Sequence, residues 1–193
     1  TQKTAMMATG LVHDINNAVA TFPDLIDEIG IPEHRKIAKQ AVRESLVLLK
    51  NKNQLLPLKK NAKVVVVGEF ADNAGMQSGG WTVNWQGSET SYKGSTTILD
   101  GIKNQSTNIV YDRNGTGAYT DVEAVIIVVG ESPYAEFFGD IGGEMDLFHH
   151  TLTKGHEQLI NNYAKQGVPV IVILISGRPL VVSHQIEQAE AFV

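Results

Sequence analysis

Three continuous apolar runs constrain this chain more than any other feature: Lys63-Val-Val-Val-Val-Gly68, Ala124-Val-Ile-Ile-Val-Val-Gly130 and Val168 to Ser176. Each is strand-length, rich in β-branched side chains and without polar alternation. A strand that faces water on one side alternates apolar and polar residues. A continuous run therefore reads as a strand covered on both faces, as parallel sheets require. The segments between the runs are helical in pattern, at Thr97 to Asn104 and Lys154 to Gln166, with a short strand at Asn108 to Tyr111. Strands alternating with helices predict right-handed βαβ units. The expected fold class is α/β, a mostly parallel sheet sandwiched by helices.

Upstream of the first run, Pro32 opens a helix at its first turn, where a missing N–H costs nothing. From Glu33 to Lys50, apolar residues recur at helical spacing at Ile37, Ala41, Leu46, Leu48 and Leu49. A short helix is expected over Thr4 to Ile15. Residues 1–32 read as a linker and 33–193 as the α/β domain. The chain's 193 residues, 42% hydrophobic and 19% charged, suffice for one well-packed core.

Composition excludes some functions. The net charge of −5 lacks the basic stripe that nucleic-acid binding needs. The Lys50 to Lys60 stretch reads as a solvated loop. With no cysteine, disulfides, thiolate catalysis and zinc–thiolate sites are ruled out. No apolar run reaches the roughly 18 residues of a membrane-spanning helix. The six histidines are scattered, and no metal or other cofactor is expected. After Val67 the chain reads Gly-Glu-Phe-Ala-Asp-Asn rather than GxGxxG, which argues against a nucleotide-binding domain.

Chemistry is expected where long loops leave the strand ends, because ligands of parallel sheets sit beyond the carboxyl edge. The loop over residues 71–92 contains Gly79-Gly80-Trp81-Thr82-Val83-Asn84-Trp85-Gln86-Gly87. An indole offers a flat apolar face to the C–H side of a pyranose, and its N–H can reach a hydroxyl. The same pair could instead plug the sheet edge as core. The loop over residues 131–152 offers Glu131, Glu136, Asp140, Glu144 and Asp146 as candidate proton donors among aromatics and glycines. Such surroundings can raise a carboxyl pKa by desolvation, as a general acid needs. Spacing alone does not choose among them.

Five stretches together resemble glycoside hydrolase family 3: "EHRKIAKQAVRESLVLLKNKNQLLPL", "KVVVVGEFADNAGMQSGGWTVNWQG", "GSTTILDGIK", "VIIVVGESPYAEFFGD" and "VILISGRPLVV". They follow the family's order, and the tryptophan and GESPYAE loops are most similar to its β-glucosidase and β-glucan exohydrolase branch. The resemblance implies a two-domain enzyme: a (β/α)8 barrel with the aspartate nucleophile, and an α/β sandwich with the acid/base. By the same resemblance Glu136 matches the acid/base, with Glu144 as the alternative left by a longer segment after Asp140. Trp85 and Trp81 match the tryptophans of the sugar-binding loop, and Arg178 in "SGRP" is read as structural. The chain is then expected to be a piece, without its barrel and cut before the sandwich ends. The implied function is retaining, exo-acting release of glucose from a β-glucoside or β-glucan, periplasmic or secreted, with no nucleic-acid or membrane partner. The alternative is a non-catalytic carbohydrate-binding α/β domain using the same tryptophans.

Overall fold

The computed structural model describes residues 28–92, 94–140 and 150–193. The segment expected as a helix over Thr4 to Ile15 lies outside them. The chain divides after Leu46 into two units. In the first, α1 (Pro32–Ser45) starts with its proline in the first turn and buries none of its residues. It stops before the Lys50 expected from periodicity, because Leu46 turns extended.

The second unit holds a six-stranded sheet in the order β1-β6-β5-β4-β2-β3. The strands are β1 (Lys50–Asn51), β2 (Val64–Val67), β3 (Ile109–Asp112), β4 (Ala124–Gly130), β5 (Val170–Ile175) and β6 (Ala191–Phe192). All neighbours pair in parallel except β1 with β6. Leu49 donates to Phe192 O at 2.8 Å, so the segment after α1 serves an edge ladder rather than a helix. Every residue of β2 and β4 is buried, as their unbroken apolar character requires.

Successive residues of a strand face opposite sides, and the two cores divide accordingly. Val65, Val67, Val125, Ile127, Val129, Val170 and Val172 pack on one side with Ile160 and Tyr163 of α4 (Lys154–Ala164) and Ile186 of α5 (Ser183–Gln188). Val64, Val66, Ala124, Ile126, Val128 and Ile171 pack on the other. There they meet Phe70 and Ala71 of a 3₁₀ turn (Glu69–Asp72), Met76 of α2 (Ala74–Ser78) and Leu99 of α3 (Ile98–Lys103). Helices thus cover both faces of a parallel sheet. Caps set where they begin. Thr97 accepts from Asp100 N while Asp100 accepts from Thr97 N, both at 3.1 Å, and Thr153 accepts from His156 N at 3.2 Å.

The topology fixes one crevice. From β2 the chain crosses one face to β3; from β4 it crosses the other face to β5, although β2 and β4 are neighbours. Strand order reverses between them, so the loops after Val67 and Gly130 flank the switch point where α/β sheets accommodate ligands.

Candidate active site

The first loop is built from short capped pieces. Asn73 Oδ1 accepts from Met76 N at 3.1 Å and starts α2, while Asn73 Nδ2 donates to Glu89 O at 2.6 Å and closes the loop behind it. Beyond α2, Trp81 N donates to Trp85 O at 2.9 Å. Trp81 and Val83 hold φ values of 61° and 66°, a conformation that costs energy for residues with side chains. The turn displays both indoles. Trp81 is 69% exposed and Trp85 44%, so neither belongs to the core. Their rings lie 6.4 Å apart at 53°.

The second loop packs directly on the first, and two glycines permit it. A Cβ on Gly80 would lie 2.1 Å from Tyr134 O, and one on Gly87 would lie 2.6 Å from Pro133 Cβ. Gln86 then stitches the two together: Oε1 accepts from Ala135 N at 2.8 Å, and Nε2 donates to Glu136 O at 3.3 Å. Trp85 meets Phe137 edge-on at 6.3 Å and 86°. An aromatic surface of Trp81, Trp85 and Phe137 therefore borders the backbone that carries Glu136.

At the base of the second loop, Glu131 and Arg178 form an ion pair whose side chains are each only 11% exposed. Glu131 Oε1 accepts from Arg178 Nε at 3.0 Å and Nη2 at 2.8 Å, and Oε2 lies within hydrogen-bonding reach of the Ser176 and Tyr134 hydroxyls. Behind the loops lies a cavity of about 490 Å³, lined in part by Glu69, Phe70, Glu131, Phe138 and His156. Burial pushes the His156 pKa down, against an opposing pull from Glu69.

Residues 46–193 match the family model described as the glycosyl hydrolase family 3 C-terminal domain. The chain belongs to glycosyl hydrolase family 3. Among its relatives in that family, the lysosomal beta glucosidase of Dictyostelium discoideum is 33% identical, over 80% of this chain and 21% of its own length. The periplasmic beta-glucosidase of Salmonella typhimurium is 28% identical, over 82% of this chain and 24% of its own. Among solved structures, the exo-1,3/1,4-beta-glucanase of a Pseudoalteromonas species superposes with a TM-score of 0.75 at 34% identity, covering 85% of this chain and 27% of that one. The chain thus spans about a quarter of the length of these family 3 relatives.

Within this family 3 domain the candidate carboxylates have different settings. Glu136 and Asp140 are both exposed. Glu131 is committed to Arg178 and is not a free proton donor. Glu144 and Asp146 lie outside the described residues. Among the described residues no cluster of three or more His, Asp or Glu has metal-binding geometry. Sequence reading missed Gln86, whose only signal was a glutamine following a loop tryptophan, and it missed the reach of Arg178 into the second loop.

Proposed function

We propose that this chain is the second domain of a retaining, exo-acting β-glucosidase or β-glucan exohydrolase. In this reading Glu136 is the acid/base, and Trp85 with Trp81 holds the sugar or its leaving group. The observation that carries the reading is the exposed tryptophan pair stitched by Gln86 to the backbone of Glu136, at the carboxyl edge of a parallel sheet. A (β/α)8 barrel of the same enzyme supplies the nucleophile, with residues 1–32 as the linker toward it.

The retaining mechanism divides the work between two carboxyl groups. The barrel's carboxylate attacks the anomeric carbon while the Glu136 carboxyl gives its proton to the departing glycosidic oxygen. Glu136, now a carboxylate, removes a proton from water as that water attacks the glycosyl-enzyme. Net retention follows from two inversions, and no cofactor takes part. The exposure of Glu136 in this chain fits a group whose dry surroundings would come from the sugar and the barrel. The names of the relatives, periplasmic in one case and lysosomal in another, support an extracytoplasmic location.

The test is hydrolysis by the full-length enzyme followed by proton NMR. Release of β-glucose as the first anomer from an aryl β-glucoside or a β-glucan oligosaccharide is the expected result. Binding of the oligosaccharide with no hydrolysis would favour a carbohydrate-binding domain instead, and α-glucose as first product would overturn the retaining assignment.

A further inference from the structure

The ion pair at the base of the second loop has a feature that a simple strand-end anchor lacks. One guanidinium holds the Glu131–Gly139 stretch of the loop at both its ends. Arg178 Nε and Nη2 donate to Glu131 Oε1 where the loop leaves β4, and Nη1 donates at 3.0 Å to Gly139 O beyond the loop's apex. The same guanidinium carbon stands 5.7 Å over the ring of Tyr134 in the middle of the loop. Tyr134 in turn donates to Glu131 Oε2 at 3.1 Å, so the carboxylate and the guanidinium grip the loop on both sides of its apex.

The base itself is held. Glu131 N donates to Ile175 O at 3.0 Å, and Arg178 N donates to Ser176 Oγ at 3.2 Å, tying the pair to the end of β5. What remains outside this clasp is the apex, Ala135 to Phe138, and it contains Glu136. Planar, charge-assisted hydrogen bonds fix direction as well as distance. A lysine ammonium has neither the planar fork nor the flat face for stacking.

We propose that Arg178 and Glu131 are positioning residues for Glu136, setting where the apex of its loop lies relative to the glycosidic oxygen. The proposal rests on the reading of Glu136 as the acid/base. Neither residue touches the reacting atoms. Both act through the loop backbone, and a displacement of about 1 Å in a reacting group can cost on the order of 10²-fold in rate.

The experiment compares Arg178→Lys, Glu131→Gln and Glu136→Ala in the full-length enzyme, over aryl β-glucosides ranging from dinitrophenyl to phenyl. Dinitrophenol leaves without a proton, whereas phenol needs one. Arg178→Lys should lower kcat for phenyl β-glucoside by roughly 10²-fold and leave the rate of glycosyl-enzyme formation from the dinitrophenyl compound nearly unchanged. The KM for that compound should fall, because the slowed second step lets glycosyl-enzyme accumulate. Glu131→Gln should show the same bias, and, as a change that keeps the side chain's size while removing its charge, it carries the test should Arg178→Lys fail to fold. Equal slowing of both substrates, with only a lowered Tm, would overturn the inference by showing a merely structural anchor. Should Glu136→Ala itself lack the leaving-group bias, the acid/base reading falls. A bias in Glu136→Ala but in neither of the other two variants sinks the positioning role alone.

Discussion

Gln86 Oε1 accepts the backbone N–H of Ala135 at 2.8 Å, joining the tryptophan loop to the residue before Glu136. Its amide nitrogen meets Glu136 O at 3.3 Å, so one side chain spans the backbone that orients Glu136. Gln86→Ala removes both bonds, each worth about 1 kcal/mol. In the full-length enzyme it should lower kcat about tenfold with little change in fold. Faster amide exchange at Ala135 would be the matching structural sign, and unchanged exchange would show that the stitch does not order the loop.

Trp85 has the more constrained indole of the two, because it meets both Trp81 and Phe137. Trp85→Ala should raise KM for a β-glucan oligosaccharide by roughly tenfold or more, from lost apolar burial of about 1.5–3 kcal/mol. Trp81→Ala should have a smaller effect, since that ring is 69% exposed. Initial-rate kinetics on the oligosaccharide in each variant check the order, and a larger KM change in Trp81→Ala would reverse it.

Among the described residues, Asp112 and His156 are part-buried groups that give stability an acid dependence. Burial alone would raise the Asp112 pKa. The Gly117 and Gly115 N–H groups and the Tyr119 and Tyr163 hydroxyls outweigh it and leave the pKa lowered. A lowered carboxylate stabilises above its unfolded value of about 3.9 and loses that contribution as pH falls through its folded value. His156 is also lowered, by burial, so its stabilising share is complete above about 6.5 and declines as pH falls below that. Tm should therefore fall in two acid stages. His156→Asn should flatten the upper stage, and Asp112→Asn the lower. A single stage in the unaltered chain would contradict this assignment.

Core substitutions should separate centre from edge. Ile127 is fully buried in β4, between β2 and β5, and Ile127→Ala should cost about 2–5 kcal/mol in urea unfolding. Val110 lies on the edge strand β3 and is 44% exposed, so Val110→Ala should cost no more than about 0.5 kcal/mol.

The central strands were legible because four to seven consecutive apolar positions leave an unmistakable run. The short strands β1 and β6 were not, since a two-residue strand has no period to read. The five-residue helix α2 was hidden by glycine and serine inside what reads as a loop. That the two long loops share one edge was readable from strand polarity. Their stitching was not, because Gln86 and Ala135 are 49 positions apart, and Glu131 and Arg178 are 47 apart. The pattern of Asp112, Tyr119 and Tyr163 is equally illegible, with hydrogen bonds that only the folded chain assembles.

The central claim is that Glu136 supplies the proton, and kinetics of Glu136→Ala beside Glu144→Ala in the full-length enzyme test it most directly. The account predicts that Glu136→Ala hydrolyses phenyl β-glucoside about 10²–10⁴-fold more slowly, the usual worth of acid/base assistance. It should still form the glycosyl-enzyme quickly from dinitrophenyl β-glucoside. Azide should then restore turnover and yield β-glucosyl azide, because azide attacks the intermediate without a base. Glu144→Ala should show neither effect. The reverse pattern, with azide rescue in Glu144→Ala and none in Glu136→Ala, would contradict the account.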